Sequence, residues 1–147
     1  MRTPGPVTDH RRMRLRMELF VSDMDVSVGF YRDVLGFAVE RRTEDYASLR
    51  RGLVVLGLGP IAKLPEHGDG PGFTGQRLSA GKGAGVEIVL ELDTVDELRA
   101  LYAHCQELQV VGEPLQLRSW GLHDFRLADP DGYYLRITHG DAAAPTA

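Results

Sequence analysis

Cysteine is nearly missing from this chain. Cys105 stands alone among 147 residues, so no internal disulfide can form. That suits a reducing cytoplasm. Cys105 falls on the apolar stripe of an expected helix, which reads as a buried structural thiol and not as a nucleophile. Positive charge is in deficit too: 17 Lys and Arg face 21 Asp and Glu, for a net charge of -4. Nonspecific binding to nucleic acid or to an anionic membrane needs a basic surface, so neither partner is expected. No apolar run is long enough to span a membrane. The opening stretch, MRTPGPVTDHRRMR, lacks the apolar segment of a secretory signal. A cytoplasmic protein is the expectation.

The composition that remains, 43% hydrophobic and 26% charged, is that of an ordinary globular protein with one domain or two small halves sharing a core. Two helices stand out. In SDMDVSVGFYRDVLGF, Asp23 or Asp25 can cap the start, Val26, Phe30 and Val34 recur with Tyr31 and Leu35 beside them, and Gly36 ends the run. In DTVDELRALYAHCQELQ, Thr94 and Glu97 form a capping box ahead of a stripe of Val95, Leu98, Leu101, Tyr102, Cys105 and Leu108. Each helix follows one extended segment and precedes three. The order βαβββ is therefore written twice, an internal repeat of an α+β fold.

The expected organisation is a flexible arm over 1–13, a first βαβββ module over 14–58, a Gly/Pro-rich linker over 59–85, a second module over 86–139 and a flexible tail over 140–147. The linker reads as a tether between the halves, or as a lid with His67 and Arg77 as ligand contacts.

Strand alternation assigns faces. In the first strand Leu15, Met17, Leu19 and Val21 should pack under a helix, leaving Arg16, Glu18 and Phe20 on the other side. Val86, Ile88, Leu90 and Leu92 should pack likewise, leaving Glu87, Val89 and Glu91. In the last strand Tyr133, Leu135 and Ile137 pack and Tyr134, Arg136 and Thr138 do not. The helix-free face thus mixes charge with aromatics, as either an exposed sheet or the wall of a polar cleft would.

Two motifs carry more. D-x-x-x-S-x-x-F-Y-x-x-x-L-G-F runs from Asp23 to Phe37, and W-G-x-x-x-F-x-x-x-D-P-D-G from Trp120 to Gly132. With the paired βαβββ units, from Arg14 to His139, they resemble the vicinal oxygen chelate superfamily. Its members include glyoxalase I, extradiol dioxygenases, epimerases and bleomycin-resistance proteins, and the second motif resembles the bleomycin-resistance branch. The resemblance implies curved mixed sheets around a cleft with helices outside, and frequent dimers whose modules pair within or between chains. In the family's enzymes, His, Glu or Gln on the first and fourth strand of each half holds a divalent metal. Carried over individually, those positions are Arg16, Leu56 (Gly57 if a gap shifts the count), Glu87 and Arg136.

Arginine offers no lone pair and stays charged, and leucine has no donor atom. Glu87 alone is too few ligands. The resemblance therefore implies the scaffold without its metal and without a cofactor. Buried arginines need partners. The expected pairs are Arg16 with Glu87 and Arg136 with Glu18, with one guanidinium also free to hold a ligand oxygen. Trp120, Phe20 and Tyr134 offer rings, and Leu56, Val54 and Val89 an apolar wall. His123 shares its parity with Phe125 and reads as structural. D-P-D-G lacks the spaced acids of a calcium loop and reads as a turn.

The expected function is a metal-free, homodimeric binding protein that sequesters an aromatic natural product or antibiotic, as in resistance. The expected ligand contacts are Arg16, Glu18, Phe20, Leu56, Glu87, Trp120, Asp124, Tyr134 and Arg136, with no catalytic residue assigned. The alternative is a glyoxalase-like lyase, isomerase or dioxygenase. It would use an atypical metal site built from Glu18, Glu87 and Asp124, or cofactor-free chemistry by the same carboxylates.

Overall fold

The computed structural model describes residues 14–67, 74 and 85–140. The arm over 1–13, most of the linker with Arg77, and the tail from 141 onward lie outside the described residues.

Strand β1 (Arg16–Val21) leads into α1 (Met24–Gly29), which continues as a π turn over Phe30–Val34. Strands β2 (Ala38–Arg42), β3 (Ala47–Arg51) and β4 (Val54–Pro60) follow. The second half repeats the order with β5 (Ile88–Leu92), α2 (Val95–Glu107), β6 (Glu113–Leu117), β7 (His123–Ala128) and β8 (Tyr134–His139). Each half forms its own four-stranded mixed sheet, ordered β1-β4-β3-β2 and β5-β8-β7-β6. In both, the strand before the helix pairs in parallel with the last strand, and the other pairings are antiparallel. No helix among the described residues is long and apolar enough to cross a membrane.

Local chemistry explains the helix ends. Asp23 accepts the Val26 N–H at 3.1 Å, and Gly36, with φ 76°, takes the left-handed conformation that closes the π turn. Thr94 accepts the Glu97 N–H at 3.1 Å and donates its hydroxyl to Glu97 Oε1. The apolar stripe of α1 differs from the expected one. Met24, Val28, Tyr31 and Leu35 are buried, whereas Val26 is 52% exposed. Val26 sits two residues from both Met24 and Val28, which places it across the helix from them. Leu15 and Val86 are exposed as well, because each precedes the first paired residue of its strand. Cys105 is fully buried in α2, and desolvation pushes its thiol up to about 11, which leaves it unreactive.

The D-P-D-G turn does more than reverse the chain. Asp129 Oδ1 accepts the N–H groups of Asp131 and Tyr133, and Gly132 takes φ 91°. The other Asp129 oxygen accepts the buried Tyr31 hydroxyl at 2.8 Å. Asp131 accepts both the N–H and the hydroxyl of Ser22, and the Tyr133 hydroxyl donates to the Phe20 carbonyl. The last hairpin of the second half is thus bolted onto the β1–α1 junction of the first.

Candidate functional site

Strand register decides which side chains share a face. In the first sheet Glu18 lies beside Gly57 and Gly57 beside Ser48, while Met17 lies beside Leu56 and Leu56 beside Leu49. Leu56 therefore belongs to the helix-packed side, where it is 1% exposed and part of the core. The expectation that Leu56 lines the helix-free face is corrected by this register, and Val54, two residues away, goes with it. The residue in line with Arg16 and Glu18 is Gly57.

Gly57 is empty for a reason. A Cβ there would collide with Glu18 Oε2 and the Tyr46 hydroxyl. Those two groups occupy the space a fourth-strand side chain would take. Arg16 closes the group: its Nη2 donates to Glu18 at 3.0 Å and to the Tyr46 hydroxyl, which in turn donates to Glu18. The Arg41 guanidinium lies 5.3 Å over the Tyr46 ring. Burial, reinforced by the bond to Glu18, raises the phenol above its ordinary value. At neutral pH Tyr46 is a neutral hydrogen-bonding group and not a base. Phe20 lies on the same side, half-buried beside Gly59.

The second sheet carries a different cluster. Arg136 lies directly opposite Arg126, and Val89 opposite Arg136. Asp124, 1% exposed, sits among three arginines: Arg118 Nε at 2.8 Å, Arg136 Nη1 at 3.5 Å and Arg126 Nε at 3.6 Å. Arg136 Nε also reaches Glu87 at 3.2 Å, and Arg118 Nη2 lies 3.8 Å from Glu113. Burial raises the Tyr134 phenol, and the neighbouring Glu87 carboxylate adds to this. Trp120, 57% exposed, holds its ring 6.0 Å from the Arg136 guanidinium carbon.

The expected salt bridges are therefore exchanged. Arg16 pairs with Glu18 and not Glu87, and Arg136 pairs with Glu87 and Asp124 and not Glu18. The ion pairs of Arg16 and those of Arg136 each close within their own sheet. The structure brings together Glu87, Trp120, Asp124, Tyr134 and Arg136, and separately Arg16 and Glu18, with Phe20 on the same face. Sequence reasoning missed Tyr46, Arg118 and Arg126. Arg126 was legible from its parity with Asp124, but nothing local marked Tyr46 or Arg118, which lie outside the strands.

These residues do not fit a metal of the family's kind. The positions that should supply donors hold Arg16, Gly57, Glu87 and Arg136. Glu18, Glu87 and Asp124, the atypical set, are split between two sheets and engaged by arginines. Among the described residues no three His, Cys, Asp or Glu side chains gather where they could hold an ion.

Solved structures share this architecture. A lactoylglutathione lyase from Agrobacterium tumefaciens superposes with TM-score 0.69 at 19% identity, over 88% of this chain and 94% of its own. TioX from Micromonospora sp. ML1 gives 0.67 at 20% identity, over 86% and 98%. A bleomycin resistance determinant encoded on the transposon Tn5 gives 0.62 at 23% identity, over 88% and 98%. At such identities the likeness shows the fold alone. No curated protein matches the sequence significantly. The family model described as Glyoxalase/Bleomycin resistance protein/Dioxygenase superfamily matches residues 14–137. Two βαβββ sheets with this topology, spanned almost end to end by that match, place the chain in the glyoxalase/bleomycin resistance/dioxygenase superfamily.

Proposed function

We propose that this protein binds a flat, partly apolar small molecule on the helix-free face of its second sheet, without a metal, and sequesters it. An aromatic natural product such as an antibiotic is the ligand class. The observation that carries this reading is Trp120, more than half exposed beside Arg136, with Val89 open on the same face. A tryptophan left in water forgoes substantial burial, and a stacked ring would recover it. The carboxylates an enzyme would need as bases are each held by arginine, and Tyr46 keeps its proton. That favours holding a ligand over transforming it. The reading places the protein in the cytoplasm, where its buried cysteine remains a thiol.

A thermal-shift screen of aromatic natural products supplies the compound, and calorimetric titration supplies the test. Trp120→Ala is expected to weaken binding by on the order of 1–3 kcal/mol, roughly ten- to hundredfold. A variant that folds normally and binds as tightly as wild type would show that the site is elsewhere.

The reading also includes a homodimer. Strands β1 and β5 are unpaired on their outer sides among the described residues, and the ion pairs of each helix-free face close within their own half. A second copy would cover the edges and bring one face opposite the other. Light scattering is expected to give about twice the 16.2 kDa chain mass at micromolar concentration. A monomer would remove this part of the proposal.

A further inference from the structure

Charge on the second sheet is arranged in an unusual way. Arg126 and Arg136 are directly opposed on neighbouring strands, where like charges repel. Arg118 adds a third guanidinium to the same spot. All three are partly buried, with side chains 17%, 24% and 20% exposed for Arg118, Arg126 and Arg136. One carboxylate, Asp124, lies among them. The nearest other acids, Glu87 and Glu113, are about half exposed at the rim.

The hydrogen bonding does not close. Arg118 Nε bonds Asp124 well, but Arg118 Nη2 and Arg126 Nε are buried without a hydrogen-bond partner, as is Asp124 Oδ2. Buried guanidinium donors normally find acceptors, since leaving them bare costs desolvation with no return. Arg118 Nη2 lies 3.8 Å from Glu113 and Arg126 Nε 3.6 Å from Asp124, contacts too long to satisfy them, so three cations around one buried anion keep spare donor capacity. Trp120 borders the cluster through Arg136.

We infer that the Arg118–Arg126–Arg136 cluster is an oxyanion site, and that the bound molecule is a planar aromatic carrying a carboxylate or phosphate. The ring lies on Trp120. The oxyanion displaces the half-exposed Glu87 from Arg136 and takes the donors this frees, with Arg118 and Arg126 adding positive charge around it. Asp124 stays in place as the fixed counter-charge that keeps three arginines together before the ligand arrives. This rests on the binding site proposed above and adds the ligand's charge to it.

The test uses 2-naphthoate, its neutral isostere 2-naphthamide, and inorganic phosphate, each titrated calorimetrically into the full chain. Naphthoate is expected to bind about tenfold or more tightly than naphthamide, the worth of a charge-assisted pair. Arg126→Gln should bring the two affinities together by weakening naphthoate more than naphthamide. Arg126→Lys, which keeps the charge and guards against a folding defect, should retain part of the preference. Trp120→Ala should weaken both ring compounds alike. Phosphate that displaces naphthoate assigns the site to a compact oxyanion, and phosphate without effect assigns it to carboxylates borne on a ring. Equal affinity for naphthoate and naphthamide in wild type overturns the oxyanion site while leaving the aromatic site standing. Binding of neither overturns both. An Arg126→Gln effect on dimer dissociation, with naphthoate still preferred, overturns the assignment by giving those donors to a second copy of the chain.

Discussion

Asp124→Ala is expected to destabilise the protein by about 3–5 kcal/mol, the usual result of removing one partner from a buried ionic group. At 1% exposure Asp124 is the one carboxylate of its cluster that water does not screen. Removing it leaves Arg126 with no ion-pair partner among the described residues, and returns Arg126 and Arg136 to direct opposition. Glu87 and Glu113 relieve only part of this from the rim. For a chain of this size the loss corresponds to a fall in melting temperature of roughly 6–20 °C. Differential scanning calorimetry measures it, and a melting temperature within two degrees of wild type would show that the arginines find other partners. The double variant Asp124→Ala/Arg126→Leu should recover part of the loss, because it also removes the cation left unpaired.

Leu56→Ala has the second large expected effect, a loss of about 2–5 kcal/mol. Leu56 lies between Met17 and Leu49 on the packed side of the first sheet, beneath the α1 residues that close the core. Its loss opens a cavity in the centre of the first module. Ligand affinity, measured well below the melting transition, should stay within about twofold of wild type, since Leu56 does not face the ligand. A stable Leu56→Ala protein with impaired binding would reverse the assignment of faces in β4.

Much of this fold can be read in the chain, because period and punctuation agree. Asp23 and Thr94 begin helices, Gly36 ends one, and Asp129 to Gly132 turn the last hairpin. The last strand of the first half is harder. In LVVLGL, apolar residues and glycine occupy both parities, so alternation says that a strand is there without saying which side faces the core. The true register follows from pairing with Glu18 and from the space Tyr46 needs over Gly57, and neither is local in sequence. The ion pairs failed for a related reason. Alternation gives Arg16, Glu18, Glu87 and Arg136 their sides, but says nothing of how one sheet stands to the other. In the sequence Asp124 stands only as one carboxylate of an atypical set with Glu18 and Glu87, and its three arginines come from a loop and two strands that only the folded sheet gathers. Tyr46 had no periodic mark at all.

The docking of the D-P-D-G turn bears on how the chain acquires its structure. Tyr31 and Asp129 are 98 residues apart, Ser22 and Asp131 109, and Phe20 and Tyr133 113. The first module's strand–helix junction is completed by groups made about a hundred residues after it. A nascent chain that ends before Asp129 can pair β1 with β4, yet it leaves the Tyr31 hydroxyl facing the site of an acceptor that has not been made. Contacts of such long sequence separation incur their loop-closure entropy before they return any stability, which slows folding. The repeat in the sequence suggests two independent units, but the bolt between them ties completion of the first to the arrival of the second.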